Sequence, residues 1–238
     1  MYEERFYRGQ VLSKFKLEVS FNESDLLVCT DKKIDKCFVE SILKKYYYQI
    51  KKYVKENPIF MNSLFPLDDD ISSPDIIKKM IESSRISGIG PFSSVAGAIA
   101  FYVGNEILEI CDEVIIENGG DIFLKINEDK HLGIYLGERF KIKNLALRIR
   151  EEKCSFGIAS SSAVIGHSLN FGNADLVTVM AKDVVIADGL ATSLSNKIKK
   201  ENDIKMIIEQ VKTIPELKGI FIAFDDKMVL WGDLEMAD

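Results

Sequence analysis

Strands in this sequence come in pairs, and helices come between the pairs. Alternating β-type patterning marks residues 6–20 and 26–30, with the turn between them expected at Asn22 to Asp25. A helical stripe of Ile34, Phe38, Ile42, Tyr46, Ile50 and Tyr53 follows, with Asp31 read as its N-cap and Asn57-Pro58 as its end. Further helices are expected from Ser73-Pro74 to about Ser84, and along Val95, Ile99, Tyr102, Val103, Ile107 and Ile110 after a turn at Gly88, Gly90 and Pro91. Strands return at 113–117 and 122–126, then at 131–136 in a second hairpin turned at Asn127 to Lys130, and at 145–150. Strands near 154–159 and 175–181, helices at 184–200 and 204–212, and a last hairpin turned at Asp225 to Lys227 close the chain. A parallel sheet needs strand and helix to alternate, which they do not do here. The order predicts an α+β fold with antiparallel sheets and packed helices.

Composition narrows the partners. The net charge of −6 comes with no long basic run, so a phosphate-backbone footprint is missing and nucleic acid is not expected as a partner. No apolar run approaches the roughly 18 residues of a membrane helix, and the start MYEERFYRGQ has no apolar signal-peptide core, so a cytoplasmic protein without a membrane partner is expected. Cys29, Cys37, Cys111 and Cys154 form no C-x-x-C pair and are expected as reduced core thiols. The acidic triplet Asp68-Asp69-Asp70 reads as a solvated loop, and the rings of Tyr46 to Tyr48 point in different directions on a helix.

The stretch from Cys154 to Lys200 breaks the apolar pattern with polar residues that neither core nor surface requires. Ser160, Ser161 and Ser162 follow one strand, and a second loop carries Gly166, His167 and Ser168. Asp183 is a good N-cap for the following helix, on which Asp188 and Thr192 stand four apart and so share a face. Val184, Ala187, Ala191, Leu194 and Ile198 form a separate apolar stripe. One carboxylate and one hydroxyl are too few for a full cage, but they suffice for Mg²⁺ when phosphate oxygens and waters complete the octahedron. His167 has the chemistry to take a proton near neutral pH. Asn118, Gly119, Gly120 and Asp121 have two readings: a plain hairpin turn, or a side-chain-free backbone that lets N–H groups approach a phosphate or a flavin edge. Ala96, Gly97, Ala98, Ala100 and Gly104 on the preceding helix imply close approach by another element or a ligand. No P-loop, G-x-G-x-x-G or G-x-S-x-G motif is present.

These segments resemble a known family. Ile116 to Ile122 is similar to the N-x-G-G-D-I segment of ApbE-type flavin transferases, which move FMN from FAD onto a protein threonine, and Ala187 to Thr192 is similar to their A-D-A-L-A-T helix start. Ile158 to Ser162 and His167 sit where that family has a T-S-G turn and a following histidine. The likeness is closer to a group of short ApbE-like proteins, through Arg5 to Arg8, Gly90 to Ala100, E-N-G-G-D and the G-H-S-x-x-F/Y-G-x-A-D run at Gly166 to Asp175. It spans nearly the whole chain.

The resemblance implies an ApbE-like duplication of T-fold units, as one domain of two pseudo-repeats at about 1–110 and 111–238, with homo-oligomers among its expected arrangements. It also implies a phosphate-bearing small-molecule ligand, FAD or FMN, in a cleft lined by Asn118 to Asp121, Ser160 to Ser162 and Gly166, with Asp188 and Thr192 on Mg²⁺ and His167 catalytic. The implied activity is Mg²⁺-dependent FMN transfer or FAD pyrophosphate cleavage. The sequence departs from the transferases at Ile99-Ala100-Phe101, where they carry a lysine-glycine pair, and at Ser168 to Gly172, where they carry D-P-x-T-G. Two other functions stay open: a non-catalytic cofactor- or metabolite-binding protein, and a metal-independent T-fold enzyme acting on a pterin- or purine-like ring.

Overall fold

A computed structural model describes residues 13–136, 140, 144–163 and 170–237. The chain opens with a hairpin of β1 (Phe15–Phe21) and β2 (Ser24–Thr30), in which Phe21 pairs with Ser24. The turn is thus only Asn22-Glu23, two residues tighter than expected. Asn22 carries the positive φ of 50° that such a turn asks for, and asparagine tolerates it well. Helix α1 (Lys36–Glu56) starts later than Asp31. Its N-cap is Asp35, whose carboxylate accepts from the Cys37 N–H at 2.7 Å. Asp31 instead accepts from the backbone N–H groups of Asp112 and Glu113, a contact made across the fold.

A short α2 (Ile59–Asn62) lies within the expected loop, followed by α3 (Asp75–Ser87), which runs three residues further than expected to a left-handed Gly88. A 3₁₀ turn at Pro91–Ser94 leads into α4 (Val95–Leu108), then β3 (Val114–Asn118) and β4 (Asp121–Lys125). Strands β5 (Lys130–Tyr135) and β6 (Asn144–Ile149) pair with each other. The expected hairpin between β4 and β5 does not form: β4 pairs with β7 (Phe156–Ser161), and β5 leaves for a second sheet. The remainder is β8 (Leu176–Ala181), α5 (Val184–Lys197), α6 (Glu201–Val211), β9 (Leu217–Phe224), β10 (Lys227–Gly232) and β11 (Glu235–Met236).

Eight strands form one antiparallel sheet in the order β1-β2-β3-β4-β7-β8-β9-β10, and β11-β6-β5 form a small one. The α+β expectation holds. Helices cover one face of the large sheet, where Val114, Ile116 and Phe123 pack with α1, α3 and α4, and Val177, Val179 and Ile220 pack with α5 and α6. Leu124, Ile158, Met180 and Phe221 point the other way and pack with Ile134, Leu147 and Ile149 of the small sheet. Both faces are covered there, so the interior strands β8 and β9 are apolar at nearly every position instead of alternating.

Each half of the large sheet repeats two strands, helices, two strands. The first of these halves ends with β4 at Lys125. Among the described residues no single helix is long and apolar enough to cross a membrane. All four cysteines are free, but only Cys29 and Cys111 are buried; Cys37 and Cys154 are exposed and are not core thiols.

Candidate functional site

Helix α5 is set into the fold by its first residue pair and by three glycines. The Asp183 carboxylate accepts from the Ile186 N–H at 2.9 Å and pairs with Lys79 Nζ at 2.9 Å, so the expected cap is also an ion pair. At Gly157 of β7 a Cβ would lie 2.1 Å from Val184 Cα, which lets the helix start rest directly on the strand. A Cβ at Gly189 would lie 2.6 Å from Ser83 Oγ. That closeness allows Ser83 Oγ to donate to the Val185 carbonyl at 2.7 Å and Ser193 Oγ to donate to the Ser87 carbonyl at 2.6 Å, lacing α3 to α5.

The start of α4 is held differently. Ser94 gives it no side-chain cap. Instead Gly97 N–H donates to Asp188 Oδ2 at 2.9 Å, and Asn118 Nδ2 donates to the Ala96 carbonyl at 3.0 Å. Both atoms belong to the single peptide group joining Ala96 to Gly97. Two of the sequence segments singled out above, 118–121 and 187–192, therefore grip one peptide plane from opposite ends. Gly97 is what admits them, because a Cβ there would lie 2.6 Å from the Val184 carbonyl oxygen and 2.9 Å from Asp188 Cβ. The small residues of α4 are thus explained by another element: Gly97 meets α5, and Gly104 meets the Phe123 ring, 2.4 Å from where its Cβ would stand.

Asp188 is only 7 % exposed. Burial pushes its carboxyl up to about 7, against the opposing pull of the Gly97 N–H. Among the described residues it receives that one hydrogen bond and no ion pair. Thr192, one turn on, is half-buried, and its hydroxyl makes no side-chain hydrogen bond among the described residues. A buried carboxylate with so little compensation is costly unless a proton or a cation joins it. A carboxylate and a hydroxyl one turn apart are hard oxygen donors of the kind Mg²⁺ takes, and among the described residues no group of three His, Cys, Asp or Glu forms a protein cage. The Asp68 to Asp70 triplet has other work: Asp69 pairs with Arg85, and Asp70 accepts from Tyr53 and Ser72.

The remaining expected residues among those described have partners of their own. Gly119 and Gly120 form a two-residue turn with φ of 71° and 103°, closing Asn118 against Asp121, and the Gly120 N–H is taken by the Glu117 carboxylate at 3.1 Å. The hairpin reading of that segment is realised. Ser160 shares a hydrogen bond with Thr178, Ser161 accepts from Asn170, and Ser162 donates to the Asp175 carbonyl. Gly166 and His167 lie outside the described residues. Asn170 was not legible as a site residue. Its amide reaches both Ser161 and Ser195 of α5, tying the end of β7 to the Asp188 helix.

Comparison with known proteins bears on this arrangement. The sequence model described as AbpE bacteria matches residues 8–214. A UPF0280 protein of Methanocaldococcus jannaschii is 34 % identical over 225 residues, covering 92 % of this chain and 91 % of its own. Another, from Methanothrix thermoacetophila, is 36 % identical and covers 78 % of each. Among solved structures, Pseudomonas stutzeri flavinyl transferase ApbE in its apo form aligns with a TM-score of 0.64 at 11 % identity, over 93 % of this chain and 96 % of that one. Vibrio cholerae flavin transferase ApbE aligns at 0.59 and 12 %, over 92 % and 96 %. At such identities the structures speak for a shared fold.

Proposed function

The chain belongs to the family described as AbpE bacteria, and from that premise we propose that it binds the diphosphate of a flavin dinucleotide with Mg²⁺ and cleaves the phosphoanhydride. The observation that carries the reading is the buried Asp188 carboxylate, compensated by one N–H donor and followed one turn later by the Thr192 hydroxyl. Those two side chains would hold the cation, which, when bound, offsets the charge that develops on phosphate oxygens. The Ala96–Gly97 peptide, gripped by Asn118 and Asp188, keeps the carboxylate in place. In the reaction a hydroxyl oxygen, from water or from an acceptor threonine, bonds to the FMN phosphorus, the anhydride bond breaks, and AMP leaves. His167 is proposed to take the hydroxyl proton.

A second reading is favoured by one feature. Ile99 and Ala100, which stand where transferases carry a lysine-glycine pair, are fully built into the core, so binding without turnover is the alternative. Titration of purified protein with FAD, FMN and ADP, with Mg²⁺ and with chelator, followed by chromatography of the products, tests both. Metal-dependent FAD binding with release of AMP supports the enzyme, and tight binding without product supports the binding protein. Binding of a pterin- or purine-like ring that survives chelation, or no binding at all, contradicts the proposal.

A further inference from the structure

Beyond Thr192 the polar face of α5 continues toward an aromatic ring. At 100° per residue, Asp188, Thr192, Ser195 and Asn196 all fall within about 100° of helix surface. Along it Asp188 and Ser195 are buried, and Thr192 and Asn196 are half-buried. The segment 170–173 is fastened to this end of the helix. Phe171 N–H donates to Asn196 Oδ1 at 2.7 Å, Gly172 N–H donates to Asn170 Oδ1 at 2.7 Å, and Asn173 N–H donates to the Ile198 carbonyl at 2.8 Å. A Cβ at Gly172 would lie 1.9 Å from the Ser195 carbonyl oxygen, so the backbone there lies directly on the helix. The backbone is held by these bonds, yet Phe171 is 55 % exposed. Among the described residues the other exposed phenylalanines, Phe38 and Phe65, belong to α1 and to the segment after α2.

We infer that Phe171 is the stacking platform for the heteroaromatic ring of the nucleotide whose phosphates sit at Asp188 and Thr192, an inference that rests on the reading proposed above. The eight steps from Asp188 to Asn196 rise about 12 Å, the scale of a nucleoside diphosphate. A ligand charged at one end and flat and aromatic at the other matches a face that is carboxylate and hydroxyl at its deep end and phenyl at its open end. Stacking on an aromatic side chain accepts adenine or isoalloxazine, so the two rings are told apart by experiment.

The test compares wild type, Phe171→Ala and Phe171→Tyr by calorimetry with Mg²⁺ and, in turn, ADP, FMN and inorganic pyrophosphate. Phe171→Ala is expected to weaken ADP or FMN, whichever supplies the stacked ring, about tenfold or more, to leave pyrophosphate unchanged, and to recover in Phe171→Tyr. Equal affinities of wild type and Phe171→Ala for both ring ligands would overturn the inference while leaving the phosphate site standing. An equal loss of pyrophosphate would overturn it too, because the residue would then shape the site and not the ring contact. If wild type binds none of the three, the site reading fails, and this inference fails with it.

Discussion

Helices α4 and α5 lie against each other, and their N-termini are satisfied in opposite ways. The start of α5 is self-sufficient: Asp183, immediately before the helix, accepts from the Ile186 N–H and is neutralised by Lys79. The start of α4 has no such residue and depends on Asp188, which lies 91 positions away in sequence, for the bond to Gly97 N–H. A carboxylate near a helix N-terminus is favourable in both cases, since orphan N–H groups and the helix dipole point at it. The difference is the counter-charge. Asp183 has a lysine; Asp188, buried to the same degree, has none among the described residues. One cap is complete as it stands, and the other is half of a site.

Substitutions at the two caps should separate stability from binding. The largest effect is expected at Gly97→Ala. Its Cβ would stand 2.6 Å from the Val184 carbonyl oxygen, so α4 and α5 must move apart, costing about 3 kcal/mol and lowering the melting temperature by on the order of 10 °C. Metal-dependent ligand binding is expected to go with it. A normal melting curve for this variant would mean that the helices do not meet as closely as described.

Asp183→Ala comes next. It removes a local cap worth about 1 kcal/mol and leaves the half-buried Lys79 with Glu82 alone. Thermal unfolding should register a loss of roughly 1–2 kcal/mol, with ligand affinity unchanged. Should affinity collapse as well, the two helix starts would not be the independent devices described here.

A smaller cost is expected for Asn118→Ala. The Ala96 carbonyl loses one of its donors, for about 1 kcal/mol in a denaturant titration, and the grip on the Ala96–Gly97 peptide is left to Asp188 alone. Ligand affinity should fall modestly in this variant but not in Asp183→Ala. The opposite pattern would assign the site to the α5 start.

The sequence made the self-sufficient features legible and left the cooperative ones hidden. Asp183 and the Gly119-Gly120 turn are each decided within a few residues: the cap is found as expected and the turn takes the hairpin one of its two readings, while α5 stops at Lys197, short of the expected 200, and leaves Ile198 of the stripe just outside the helix. Asp31 and Asp35 are both good caps locally. Only β3, folded back beside β2, claims the Asp31 carboxylate for Asp112 and Glu113 and leaves the helix to Asp35. The partner of β4 was misjudged for a similar reason, since a turn-rich segment after a strand signals a hairpin whether or not the next strand stays in the same sheet. At the site, Asp188 was visible because a lone carboxylate stood among small neutral residues. Its tie to Gly97 had only a weak mark, a glycine inside a helix, and the role of Asn170 had none.

Asp188→Asn is the variant that tests the account most directly, because it preserves an oxygen for the Gly97 N–H and removes only the charge. Calorimetric titration of FAD with Mg²⁺, alongside a melting curve without ligand, should show a protein as stable as wild type or more so, since a buried uncompensated carboxylate is gone, but without metal-dependent affinity. Wild-type affinity in Asp188→Asn would contradict the claim that this carboxylate waits for a cation. A collapse of the fold would show instead that its charge serves the α4 start alone.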